Sequence, residues 1–345
     1  MAKSFFDFFP TPKFLEMPAP GLALTDTGLK FIEFGNGSKG TTIKRYGGAS
    51  LPKGLIEAGN ITDQEGLIRA LEDFRKSFNL RYIRTSLPEE RAYLFQTTVP
   101  KVSPKELRTA VEATIEENVP LSVSEVIFDY AVLKDQEGVI GDGIAVSVSV
   151  IPEVLVMEYL SVFRSAGFMP LHFDIESQAI SKAVIERGDE DVSLVVNLNP
   201  TKVGLYIVSQ GAVSFTSTVA ISAPDKSATP PVSGSEASNP DILATYPGLK
   251  TLVSEIEKVF MYWQAQADRQ NKRLVPIEKI ILCGEEAGRD GVAHYLATTL
   301  TTKVELANVW RNAFSFDDYV PSISQKDSLV YAGAVGLALP RDNQK

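Results

Sequence analysis

Apolar residues recur along this chain with two periods, and the switching between them lays out its elements. From Gly21 to Phe34, the residues Leu22, Leu24, Leu29, Phe31, Ile32 and Phe34 flank a polar turn at Thr25 to Gly28, a strand–turn–strand signature. Thr41 to Tyr46 reads as a third strand. The stripe Leu67, Ile68, Leu71, Phe74 and Phe78 has helical spacing, and Thr62-Asp63-Gln64-Glu65 reads as the capping box that opens it. Tyr82 to Ser86 returns as a strand.

A second unit follows. Strands are predicted at Tyr93 to Val99, Val126 to Leu133 and Ala145 to Ile151, where Val146, Val148 and Val150 alternate with Ser147 and Ser149. Between the first two, Ser103-Pro104-Lys105-Glu106 opens a helix with Leu107, Val111 and Ile115 on its apolar face. A helix from about Pro152 to Ala166 closes this compact α+β insertion, and one more strand and helix fill 169–187.

The chain then starts over. Val192 to Leu198 is almost wholly apolar, as suits a strand covered on both faces, and Val203 to Val208 and Ala212 to Val219 follow with Gln210-Gly211 as their turn. The shared opening of strand, polar turn, strand and strand predicts an internal duplication. Later come a helix through Leu249, Leu252, Ile256, Val259 and Trp263, a strand at Ile277 to Cys283, a helix at Gly288 to Leu300, and a Gly/Ala-rich helix at Ser328 to Leu339.

The expected division is a Phe- and Pro-rich extended leader at 1–19, a first subdomain from 20–87 and 166–190, an inserted α+β subdomain at 88–165, and a second subdomain at 191–345 with a mobile Pro/Ser loop at 221–247. Phe5, Phe6, Phe8, Phe9 and Phe14 of the leader either pack back on the body or dock a partner or the membrane surface.

Composition narrows the chemistry. With 345 residues, 44% apolar and 22% charged, the chain is globular, and its net charge of −9 argues against broad nucleic-acid binding. The single cysteine, Cys283, excludes an intramolecular disulfide and reads as a small buried hydrophobe in the run Ile280-Ile281-Leu282. Two histidines, His172 and His294, leave little for a zinc site or a Ser-His-Asp hydrolase. No apolar run reaches the ~18 residues of a membrane span, and Met1 to Pro10 lacks a signal-peptide core, so a cytoplasmic location is expected.

Two facing units, each opened by a polar hairpin turn, resemble the actin-like (ribonuclease H-like) α/β architecture, in which duplicated βββαβα domains carry an inserted α+β subdomain. Several segments resemble the PilM family of type IV pilus assembly proteins, on the FtsA-like branch of that superfamily. They are Gly21 to Lys30, Leu51 to Ile61, Arg84-Thr85-Ser86-Leu87-Pro88-Glu89-Glu90, Glu117 to Leu121 with Phe128-Asp129-Tyr130, Ser254 to Lys258 with Tyr262-Trp263, and Ala332 to Ala338. The resemblance covers roughly 20–340.

The resemblance implies a nucleotide cleft at Thr25, Asp26, Thr27 and Lys30 in the first hairpin and Asn197 and Asn199 in the second. Glu255 and Lys258 would reach the ribose and base, and Gly284 and Glu285 form the adenosine motif. The ordinary reading of Glu255 and Lys258 is a surface ion pair. The site departs from the family's Asp-Ile-Gly and Asp-x-Gly turns: Ala23, Leu24 and Thr25 stand in the first, Asn197, Leu198 and Asn199 in the second, and Pro200 removes a main-chain donor. The magnesium-holding acid is lost, and Glu285 replaces the second glycine of the adenosine motif. The expectation is no catalytic residue, no metal ligand, ATP or ADP with magnesium bound weakly or not at all, and no useful hydrolysis.

The same resemblance implies an adaptor at the inner face of the cytoplasmic membrane that binds the N-terminal tail of a PilN-like protein, beside PilO, PilC and PilB. The tail would lie between the first subdomain and the insertion, with Ile127, Asp129 and Tyr130 as candidate contacts, by strand addition for instance. The ordinary reading of these three is a strand with Ile127 packed inward. Two other readings are an ATPase or small-molecule kinase of the superfamily, and an FtsA-like division protein, whose C-terminal amphipathic helix the segment Leu339 to Lys345 does not offer.

Overall fold

In the computed structural model, which describes residues 19–37, 40–133, 143–224, 239–269 and 275–340, the first polar turn folds β1 (Gly21–Leu24) back on β2 (Gly28–Gly37), with Gly21 opposite Ile32 and Leu24 opposite Leu29. β3 (Gly40–Ser50) extends this meander. A small hairpin, β4 (Ile56–Glu57) and β5 (Asn60–Ile61), leads to α1 (Gln64–Phe78). The N-cap of α1 is Asp63, whose carboxylate accepts from Gly66 N–H, whereas the Thr62 hydroxyl donates to Gly54 O; the cap is therefore displaced by one residue and the expected box does not form, since Gly66 stands at its third position. β6 (Tyr82–Leu87) then enters parallel to β1.

The insertion follows a single turn of 3₁₀ helix at Glu89–Arg91. It comprises β7 (Tyr93–Pro100), α2 (Leu107–Glu112), α3 (Ile115–Asn118), β8 (Val126–Val132) and β9 (Gly143–Pro152). The stripe expected as one helix thus breaks in two at Ala113 and Thr114. Ser103 N–H and hydroxyl both donate to the Glu106 carboxylate, so the second expected box forms only in part. β9 lies between β7 and β8, which leaves β8 with one edge unpaired among the described strands. α4 (Glu153–Ser165), read from sequence as closing the insertion, instead buries Leu155, Tyr159, Val162 and Phe163 in the core of the first sheet. Its Tyr159 hydroxyl reaches Gly59 O, which orients that face away from the insertion.

β10 (Met169–Ile175) completes the first sheet, and α5 (Glu176–Val184) follows. The second half repeats the scheme with β11 (Ser193–Leu198), β12 (Lys202–Ser209) and β13 (Ala212–Ala220). Gln210 and Gly211, with φ of 55° and 73°, form the turn between the last two. α6 (Asn239–Thr245) lies inside the stretch expected as a mobile loop, and Tyr246 after it is fully buried; residues 225–238 of that stretch, like the leader up to residue 18, lie outside the described residues. α7 (Gly248–Arg269), β14 (Lys279–Cys283), α8 (Val292–Leu300) and β15 (Lys303–Leu306) follow, the last a strand too short to show in the sequence pattern. The final helix divides into α9 (Gln325–Ser328), a 3₁₀ turn and α10 (Ala332–Ala338).

The two sheets run β3-β2-β1-β6-β10 and β13-β12-β11-β14-β15. These orders are identical, so the duplication read from the sequence is real. α5 leaves the first sheet and buries Ile180, Ala183 and Val184 in the second core. α10 makes the reciprocal crossing onto β1, where a Cβ at Gly21 would stand 2.0 Å from Ala334 O. Small residues are therefore required where the two halves cross. No helix among the described residues is long and apolar enough to cross a membrane.

Candidate functional site

The cleft lies above that crossing, lined by Ala23, Thr25, Gly28 and Lys30 from the first half, Asn197, Asn199, Gly284 and Glu285 from the second, and Glu176 and Ile180 of α5. Its two hairpin turns are built alike. Thr25 N–H donates to Gly28 O at 2.9 Å, and Asn199 N–H donates to Lys202 O at 3.0 Å. Thr25 is thus the counterpart of Asn199, and Gly28 that of Lys202.

One N–H of the first turn and three of the loop that follows β14 are already engaged within the protein. Gly28 N–H donates to the Thr25 hydroxyl at 3.1 Å, and that hydroxyl also lies 3.2 Å from Thr27 Oγ1. Across the cleft, Gly284 N–H donates to Leu329 O (3.1 Å), Glu285 N–H to Asn199 Oδ1 (3.4 Å) and Glu286 N–H to Leu198 O (3.0 Å). Gly284 has a φ of 98°, and a Cβ there would stand 2.5 Å from Leu198 O. This glycine is needed for the close approach of its own loop to β11.

Of the residues expected to meet a nucleotide, Thr25, Lys30, Asn197, Asn199, Gly284 and Glu285 line the cleft. Asp26 turns instead toward Lys202, 3.7 Å away, and Thr27 holds the turn. Glu255 and Lys258 bond to each other at 2.7 Å on α7 and do not line the cleft, so an i, i+3 pair accounts for both. The stem of Lys30 runs over Gly48.

Four acidic and basic groups escaped the sequence reading. Glu176 is half-buried and accepts from Asn197 Nδ2 at 3.1 Å; desolvation raises its pKa, Lys202 opposes this, and Glu90 and Asp26 add to it. Lys202 bonds to Glu90 at 2.7 Å; burial disfavours its charge, but Glu176, Glu90 and Asp26 outweigh that and hold its pKa above the usual range. Glu89 accepts from Ser177 N–H at 2.9 Å and so caps the start of α5 from another element. Burial pushes its pKa up to about 7, against the bond from Ser177. The signal for this cluster was the pair Glu89-Glu90 itself, but its partners are 88 and 112 residues away in sequence.

A magnesium ion fits this donor set poorly: Ala23 and Asn197 bring no carboxylate to the cleft, Glu176 is bonded to Asn197, and an ammonium stands between Asp26 and Glu90. No group of three or more metal-ligating side chains occurs among the described residues.

At the insertion, Ile127 is 43% exposed, not packed inward, while Phe128 faces the local core with the Arg108 guanidinium over its ring. Asp129 is exposed and receives Tyr130 N–H, and Tyr130 packs partly against the insertion core. Val126 pairs with Pro152 at the foot of α4, whose Val154 and Met157 are exposed. The three candidate residues therefore lie on one strand, but only Ile127 and Asp129 are presented to solvent.

Comparison with known proteins places this geometry. The family model of the type IV pilus assembly protein PilM matches residues 21–218. A solved structure described as a PilM–PilN type IV pilus biogenesis complex superposes with a TM-score of 0.72 at 22% identity, covering 93% of this chain and 98% of that one. The ethanolamine utilization protein EutJ of Carboxydothermus hydrogenoformans (TM-score 0.46, 11% identity, 93% and 88% covered) and ADP-bound MreB5 of Spiroplasma citri (0.45, 10%, 91% and 94%) are more distant. No curated protein matches the sequence. The fold is actin-like, and, with the family model matched over more than half its length, the chain belongs to the PilM family of type IV pilus assembly proteins.

Proposed function

We propose that this protein is a cytoplasmic adaptor of the type IV pilus inner-membrane platform, which captures the N-terminal cytoplasmic tail of a PilN-like membrane protein and does not work as an ATPase. The solved relative whose description pairs PilM with PilN supports the choice of partner. PilO, PilC and PilB-like components would be reached through the same platform. The observation that carries the reading is the edge of β8, which has no strand beside it among the described residues and presents the exposed Ile127, while α4, which follows its neighbour β9, presents Val154 and Met157. An extended tail could add as a strand there, with main-chain bonds giving affinity and side-chain contacts with these exposed apolar residues giving selectivity.

The cleft fits a scaffolding role better than a chemical one, since the N–H groups of Gly28, Gly284, Glu285 and Glu286 are engaged within the protein and a nucleotide that used them would have to displace those bonds. Lys30, which has no ion-pair partner among the described residues, is the feature an enzyme reading would use, and it leaves room only for weak anion attraction. The test is fluorescence anisotropy with a labelled N-terminal peptide of the cognate PilN-like protein. The full chain should bind saturably, and Ile127→Arg should weaken binding about tenfold or more without changing the unfolding temperature. No binding by the parent protein, together with ATP turnover, would overturn the proposal.

A further inference from the structure

The two hairpin turns share their closing hydrogen bond but differ at its last residue. In the first turn this is Gly28, where a Cβ would stand 2.7 Å from Ala49 O, so a side chain is excluded. In the second it is Lys202, and the side chain leaves its own half of the molecule. Its ammonium is 2.7 Å from Glu90, at the threshold of the insertion, and 3.7 Å from Asp26, in the first turn. The side chains of all three are largely buried, at 18%, 14% and 27% exposure. Glu176, held by Asn197, adds a third carboxylate to the same field.

Carboxylates gathered from separate bodies repel one another unless a cation lies between them. A hydrated divalent ion commonly does this between phosphate-binding turns. We propose that Lys202 is a resident counter-cation, which takes the place of a divalent ion between the hairpins and fastens the second half to the first turn and to the 3₁₀ turn that leads into the insertion, in one closed arrangement. Because this cation is covalently part of β12, closure does not depend on metal or nucleotide. The inference rests on the reading of the cleft as one that does not work as an ATPase site.

The experiment uses the full chain and manganese as the probe, read by electron paramagnetic resonance. The parent protein and Lys202→Arg should leave the free-ion spectrum unchanged at about 1 mM Mn²⁺, whereas Lys202→Met, which exposes the carboxylates to one another, should bind with half-saturation roughly tenfold lower or better. Lys202→Met with Glu90→Gln should lose that binding. As a second measurement, cysteines at the exposed Glu65 and Lys303 carry spin labels, Cys283 being buried. The distance between the halves should be narrowly distributed in the parent and broadened by Glu90→Gln alone. Mn²⁺ binding by the parent equal to that of Lys202→Met, or distance distributions that coincide across parent and variants, would overturn the counter-cation. Tight magnesium–ATP binding by the parent would instead overturn the reading of the cleft, so the two failures are separable.

Discussion

Gly336→Ala should destabilise the protein by about 3 kcal/mol or more. A single methyl added at this position would stand 1.6 Å from Ala179 O and 2.5 Å from its carbonyl carbon. The obstacle is helix backbone, which cannot swing aside as a side-chain tip can. To admit the methyl, α10 and α5 must separate, and the pair forms the crossing on which both halves of the molecule are packed. Overpacking in a tight core costs ~1–3 kcal/mol, and displacement of main chain at a helix crossing lies at or beyond the upper end.

A control lies one turn away on the same helix. A Cβ at Gly333 would meet only Ala23 Cβ at 3.4 Å and Ile180 Cγ1 at 3.7 Å, ordinary contacts. Gly333→Ala should therefore be neutral or slightly stabilising, by up to ~1 kcal/mol from helix propensity. Urea unfolding of the two variants checks the contrast, and similar midpoints would contradict the crossing geometry.

Glu89 should make stability fall as pH rises through neutrality. Its carboxyl titrates near the ordinary 4.5 when unfolded and at about 7 when folded, chiefly because burial disfavours the charged form. Between those values the folded state holds more protons than the unfolded state. The unfolding free energy therefore declines with increasing pH, and the contribution is fully present below about 4.5 and lost above about 7. The 2.5-unit interval corresponds to about 3 kcal/mol.

Glu89→Gln keeps the shape and can still accept from Ser177 N–H, but it has no proton to lose. The stability of the variant relative to the parent should therefore rise by about 2.5 kcal/mol between about pH 5 and about pH 8, measured by urea unfolding at both. Glu176 is present in both proteins, so its own titration largely cancels in the comparison. A difference independent of pH would show that Glu89 ionises normally in the folded chain.

The strands were legible because each half repeats strand, polar turn and strand with period-2 apolar positions, and identical sheet orders followed from identical patterns. What the sequence hid depends on distant partners. Asp63 displaced Thr62 as a helix cap by one residue, a choice that local pattern does not resolve. α4 looked like part of the insertion because it follows β9 directly, but its apolar face matched the first core. Glu255 and Lys258 had the spacing of a pair and of a ligand contact alike, and the structure shows them bonded to each other. Lys202 carried no local signal, since its meaning comes from Glu90 and Asp26, brought beside it only by folding.

The proposal that the cleft does not work as an ATPase site rests on that cluster and on the loop N–H groups of Gly28, Gly284, Glu285 and Glu286, which bond within the protein. Calorimetric titration of the full chain with magnesium–ATP tests this directly. No saturable binding is predicted below about 100 μM, whereas a dissociation constant of a few μM, about −7 to −8 kcal/mol, would contradict it.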